Sequence, residues 1–209
     1  MKAISHIIIV FVLLSCSKDG GPDTPDERYV PFKAEDHALL LNTIETGDTF
    51  QLGDGISGTR TMSIDQAYLW ERQFETGGSF WGSGGSTLVR YEERGIRFTI
   101  YNSETDRSIG GSIQISRLHA NDSLRATLSF PIWNDPEDED LVFDLYGSSE
   151  PLNINGVQYN NVITLRSRYN VSGDSIFGVA KDIWRIYYDL DHGIVGFDGT
   201  DDRHWRLNR

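Results

Sequence analysis

The sequence predicts an all-β fold: an antiparallel β-sandwich or a partly open, lipocalin-like barrel of about ten to twelve strands, with at most one short helix. Three observations predict it. Apolar and polar residues alternate through much of the chain, as in Ile96-Arg97-Phe98-Thr99-Ile100 and Leu124-Arg125-Ala126-Thr127-Leu128, the period of a strand with one buried face. Glycine contributes 21 of 209 residues and aromatic residues 11%, a composition suited to strands joined by tight turns. No strand–helix alternation and no internal repeat occurs, which argues against parallel α/β folds, solenoids and propellers.

Taken in order, Met1–Ser15 has the layout of an export signal: Lys2 gives the basic start and Ile7–Leu14 the apolar core, too short for a bilayer span of about 20 residues. Residues 16–28 read as a tether rich in Gly, Pro and acids, and 29–209 as one domain. Residues 35–46 suit a buried strand or a helix; Asp36 as a cap and Gly47 as a stop favour a short helix. Residues 47–55 form a hairpin turning at Asp54-Gly55. From Thr59 to Phe74 the residues Met62, Ile64, Tyr68 and Trp70 share one parity, as in a long strand with a single buried face. Residues 77–87 are a glycine-rich loop carrying Phe80 and Trp81. Strands follow at 96–102, 112–118, 124–130, 141–146, 157–167, 183–189, 193–197 and 203–207, and the acidic Asn134–Asp140 stretch must be a loop.

Leu13-Leu14-Ser15-Cys16 resembles the bacterial lipobox, with a leucine three residues before the cysteine and a small residue just before it. The resemblance implies diacylglycerol on the Cys16 thiol, cleavage before Cys16 and acylation of the new amino terminus: an outer-membrane lipid anchor with the domain on the periplasmic or the surface face. Several acyl chains make such anchoring stable, at about 0.8 kcal/mol per buried CH₂. The tether is similar to those of Bacteroidota-type envelope lipoproteins. Asp122-Ser123-Leu124 and Asp174-Ser175-Ile176 resemble the O-glycosylation tripeptides of that group. The C-terminal residues Tyr187, Tyr188, Gly193, Ile194, Phe197, Trp205 and Leu207 are similar in order to the closing hairpins of uncharacterised envelope lipoproteins, which implies a curved antiparallel sheet or a partly open barrel and points to no particular activity.

With 19 basic and 31 acidic residues, the chain has a formal charge of −12, and loss of Lys2 with the signal makes it −13. Such a charge repels nucleic acid, which is excluded as a partner. Cys16 is the only cysteine; once acylated it leaves no thiol for disulfides, metals or catalysis. The histidines do not pair at metal-ligand spacing.

The acids Asp135, Glu137, Asp138 and Asp140 could hold Ca²⁺, which takes six to eight oxygens. Pro136 and the lack of a glycine depart from an EF-hand, and a solvated acidic turn is the plainer reading. Asp198, Asp201 and Asp202 form a second acid cluster. Trp81, Trp133 and Tyr101 are the candidate ligand-binding residues: exposed rings beside Asp and Asn are what sugar-binding surfaces use. Trp70, Trp184 and Trp205, lying within strands, are expected in the core. No nucleophile elbow or phosphate loop occurs. The expected function is therefore a membrane-anchored ligand-binding or structural module that holds a glycan, an apolar ligand or an envelope protein partner. The alternative is a secreted polysaccharide hydrolase using paired carboxylates.

Overall fold

The structure is a computed structural model that describes residues 26–76, 87–118, 123–130, 132–134, 140–167, 175–176, 179–180 and 182–208. Cys16, Trp81, Asp135, Glu137 and Asp138 lie outside these residues.

The fold is all-β. Its strands are β1 (Asp26–Val30), β2 (Thr49–Gly53), β3 (Thr59–Thr76), β4 (Thr87–Asn102), β5 (Arg107–Ser116), β6 (Arg125–Ser129), β7 (Asp140–Asp144), β8 (Glu150–Ile154), β9 (Val157–Arg166), β10 (Ser175–Ile176), β11 (Val179–Ala180), β12 (Ile183–Asp189), β13 (Gly193–Gly199) and β14 (His204–Asn208). One short 3₁₀ helix, Ala34–Leu39, stands among them. Twelve strands form one sheet in the order β7-β6-β5-β4-β3-β2-β14-β13-β12-β9-β8, with β1 beside β4, while β10 and β11 pair separately. Every neighbour in the large sheet is antiparallel except β1, which runs parallel to β4. β1 starts at Asp26, so the last residues of the expected tether belong to a strand.

The sheet curls on itself without closing, since β7 and β8 are its two ends. A single bridge, Trp133 to Ile183, links the chain after β6 to β12. Aromatic and aliphatic side chains of the described residues pack against one another inside the curl. Phe130 meets Phe197 edge-on at 5.5 Å, Phe143 meets Tyr188 at 5.0 Å, and Phe197 lies 6.1 Å from Trp205. Inward residues of β4, β5 and β6 (Ile96, Phe98, Ile100, Ile113, Ile115, Ala126, Leu128) fill the space between, as their alternation requires.

One end of the curl is capped by residues 32–46, whose Phe32, Leu40, Leu41 and Ile44 join the core. Two buried arginines hold the cap. Arg94 donates to the carbonyls of Leu40, Leu41 and Ile44, and Arg117 forks onto Asp36. Asp36 accepts from the Lys33 amide at the start of the 3₁₀ helix rather than capping a longer helix.

β3 and β4 run past this capped end as a two-stranded arm. β5 leaves β4 at Glu93 and β2 leaves β3 at Ser63, yet β3 and β4 stay paired to Thr76 and Thr87. A bulge at Asp65, between the Ile64–Phe98 and Gln66–Arg97 pairs, reverses the parity of β3. Met62 and Ile64 point inward as expected, but Tyr68 and Trp70 lie on the outer face. The single buried face expected from Thr59 to Phe74 is thereby corrected, and Trp70 is 46% exposed. Trp205 is fully buried as expected.

Candidate functional site

The cap and the β12–β13 turn enclose a cleft of about 400 Å³ lined by Thr43, Ile44, Asp48, Thr49, Phe50 and His192. One wall is the turn leading into β2. Asp48 accepts from the Glu45 amide at 2.8 Å, and its peptide is tied to β3 by Gly47 N–H to Ile64 O and Ile64 N–H to Asp48 O, both 2.8 Å. Gly47, at φ +96°, supplies the left-handed residue this turn needs. Ile44, buried beneath, anchors the wall to the core.

The opposite wall is His192. Its Nδ1 lies 2.6 Å from Asp189 Oδ1, which also accepts from the Asp191 amide at 3.1 Å. Asp189 is fully buried at the end of β12, and Tyr159 of β9 meets the imidazole edge-on at 5.5 Å. A buried carboxylate and an aromatic contact thus fix the ring. With Nδ1 engaged, Nε2 is the nitrogen left for a ligand. The cleft therefore joins a half-buried phenyl ring, two threonine hydroxyls, a carboxylate and an oriented imidazole.

Single ligand atoms of Asp189, Asp191 and His192 lie within 4.8 Å of one another, close enough to hold a cation. Through Nδ1, however, a cation would have to replace the Asp189–His192 hydrogen bond, so the arrangement is better described as an oriented histidine.

The structure does not bring the expected site residues together. Trp133, expected to be exposed, is 2% exposed: the chain after β6 folds back to bridge Ile183, and the indole joins the core. Tyr101 is at the surface of β4 and donates to Asp106 Oδ1 at 2.9 Å. Asp140 is exposed at the start of β7. In the second acid cluster, Asp198 is buried against Arg206, Arg185, Tyr187 and His204, and Asp201 pairs with Arg203. Burial would push the Asp198 carboxyl up, but the Tyr187 and Arg206 hydrogen bonds outweigh it and hold it low. Its contacts are with cations and donors, so it is not available as a metal ligand.

Two exposed aromatic rings, Trp70 and Phe74, lie on the outer face of the arm, with Tyr68 buried beneath. Tyr68 stacks on Trp70 with centroids 4.1 Å apart, and the Arg72 guanidinium stands 5.4 Å from the Trp70 ring. Arg72 pairs with Glu93 at 2.8 Å. Phe74 meets Tyr91 edge-on at 6.0 Å. Tyr68 lies flat over Gly95, where a Cβ would come within 2.0 Å of its ring.

No protein-family model matches the chain, and no curated protein or solved structure is similar to it.

Proposed function

We propose that the protein is an envelope lipoprotein, anchored in the outer membrane through acylated Cys16, whose β-domain is a glycan-binding module. The observation that carries the glycan assignment is the composition of the cleft. Phe50 offers a ring face for the C–H side of a pyranose, while Asp48, Thr43, Thr49 and His192 offer acceptors and donors for its hydroxyls. Its volume suits one or two sugar rings at the low end of small-molecule sites. The packed interior weighs against an apolar ligand held inside the sheet, because Phe98, Phe130, Phe197 and Trp205 occupy that space. The anchor assignment rests on the sequence around Cys16.

Two experiments test the two halves. Purified protein is titrated with a panel of envelope and dietary oligosaccharides by calorimetry. Binding should fall at least tenfold in Phe50→Ala and His192→Ala, and a panel with no binder removes the glycan assignment. Separately, Cys16→Ser should block processing and release the protein from the membrane fraction; a variant that is still processed and membrane-bound removes the anchor.

A hydrolase is the second reading, favoured by the Asp189–His192 pair, which resembles the carboxylate–imidazole half of an acid–base dyad. Turnover of any bound oligosaccharide that is lost in His192→Ala would establish it.

A further inference from the structure

The arm carries a disproportionate share of the exposed apolar surface. Trp70 and Phe74 (37% exposed) lie on its outer face, and Tyr29 (47%) and Leu69 (54%) on the opposite face, beside Arg90 and Arg94. Its outer face runs over three strands: Tyr68, Trp70, Arg72 and Phe74 of β3 stand opposite Gly95, Glu93, Tyr91 and Val89 of β4, and Arg28 and Val30 of β1 stand beside Val89 and Tyr91. The charges on this face are largely neutralised among themselves, Arg72 by Glu93. On the opposite face Arg90 pairs with both Glu27 and Glu71. Residues 26–30, 66–76 and 87–97 together hold six acids and five arginines, against 31 acids and 19 basic residues in the whole chain. The arm is thus nearer to neutral than the chain as a whole, which lessens its repulsion by an anionic lipid surface.

The chain's path says what meets this face. β1 begins with Asp26 beside Thr87, at the outer end of the arm, and runs from there toward the body. Cys16 precedes Asp26 by ten residues, and ten residues reach at most about 35 Å. The arm itself, eleven β3 residues from Gln66 to Thr76, extends about 35 Å beyond the bulge. An acyl group on Cys16 therefore keeps the outer end of the arm within about 35 Å of the bilayer, nearer than the far end of the body can be held. Tryptophan and tyrosine with an apolar ring and a polar edge favour that headgroup level.

We infer that the outer face of the β3–β4 arm lies against the lipid surface, as a second, non-covalent membrane contact that orients the domain. The inference rests on Cys16 acylation, and the test separates the two. Because Cys16 is the only cysteine and its thiol is blocked by the lipid, a single new cysteine can be spin-labelled in the full acylated protein. Phe74→Cys and Thr76→Cys place the label on the outer face of the arm; Thr105→Cys places it in the β4–β5 turn at the other end of the sheet. The proteins are reconstituted in phosphatidylethanolamine–phosphatidylglycerol vesicles, floated, and probed by power saturation with oxygen and a nickel chelate. The expected result is co-flotation of all three, with the Phe74 and Thr76 labels shielded from the chelate and reached by oxygen, and the Thr105 label open to the chelate. Failure to float removes the anchor and this inference with it. Flotation with arm labels as open to the chelate as Thr105 overturns the arm contact alone.

Discussion

Asp36 and Arg117, 81 residues apart in the chain, meet in a two-bonded fork beneath the cap, Arg117 Nη2 lying 2.7 Å from Asp36 Oδ1. Asp36 is fully buried and also accepts from the Tyr146 hydroxyl at 2.8 Å and the Lys33 amide at 2.7 Å. Burial alone would raise its carboxyl pKa; the Arg117, Lys33 and Tyr146 hydrogen bonds outweigh that and hold it below the usual range. The same contact and burial push the Tyr146 phenol up to about 12, so it stays a donor at neutral pH.

A carboxyl whose pKa is lower in the folded than in the unfolded protein adds stability above its unfolded value and loses it as pH falls through the folded one. Asp36→Asn should destabilise the protein by about 3–5 kcal/mol at pH 7, the cost of leaving a buried arginine without its partner. The deficit should begin to shrink as pH falls below the ordinary carboxylate value, where the unfolded chain takes up the proton, and should go on shrinking as pH falls through the lower folded value. Urea denaturation of both proteins at pH 7 and at successive pH values down to about 2 measures this, and a deficit that stays constant throughout contradicts it.

Gly95 is the floor on which Tyr68 rests. Gly95→Val must displace the tyrosine, breaking its stack on Trp70 and its 3.2 Å hydrogen bond to Glu93. A loss of about 1–3 kcal/mol is expected, together with loss of aromatic near-ultraviolet dichroism from the pair. The Tyr68→Ala protein should show the same spectral change and serves as its reference.

At the end of the sheet away from the cap, Arg60 is buried with its guanidinium 4.3 Å from the Trp205 ring and 3.0 Å from Asp182. Among the described residues its Nε and Nη1 have no hydrogen-bond partner, nor has Asp182 Oδ1. Arg60→Met keeps the apolar stem over Trp205 but strands the carboxylate, and should cost about 3 kcal/mol. Arg60→Met with Asp182→Asn should recover most of that loss, because a poorly satisfied ion pair adds little net stability. Thermal melts of the single and double variants decide it; equal melting points for the two would mean that the pair itself matters.

The legible part of the fold was the local part. Strands β6, β9, β12, β13 and β14 fall close to their expected ranges, and β6 alternates strictly between inside and outside, whereas β5 starts at Arg107, five residues before its expected start. Leu124 to Phe130, for instance, buries every even residue. β8 was not anticipated, although Asn155-Gly156, at φ +50° and +84°, is a strong two-residue hairpin signal. The tryptophans went astray for a non-local reason. Trp133 is buried by a bridge to Ile183, a partner with no sequence mark, and Trp70 is turned outward by one unpaired residue upstream. The cleft was invisible for the same reason: Phe50 and His192 come from opposite ends of the chain and meet only after β2, β14, β13 and β12 have assembled.

The bulge at Asp65 makes β3 a strand written in two phases. Before it, even-numbered residues are spent on the core; after it, even-numbered residues face outward. Deleting Asp65 would not turn the arm over, since Gln66 already stands opposite Arg97 and would simply follow Ile64 in a regular ladder. The rules that fill the interior and the rules that compose the arm's display surface are therefore decoupled within one continuous strand. Substitutions at the even-numbered positions from Trp70 onward can remake what the arm touches without reopening the packing of the domain, against which Ala67 still lies.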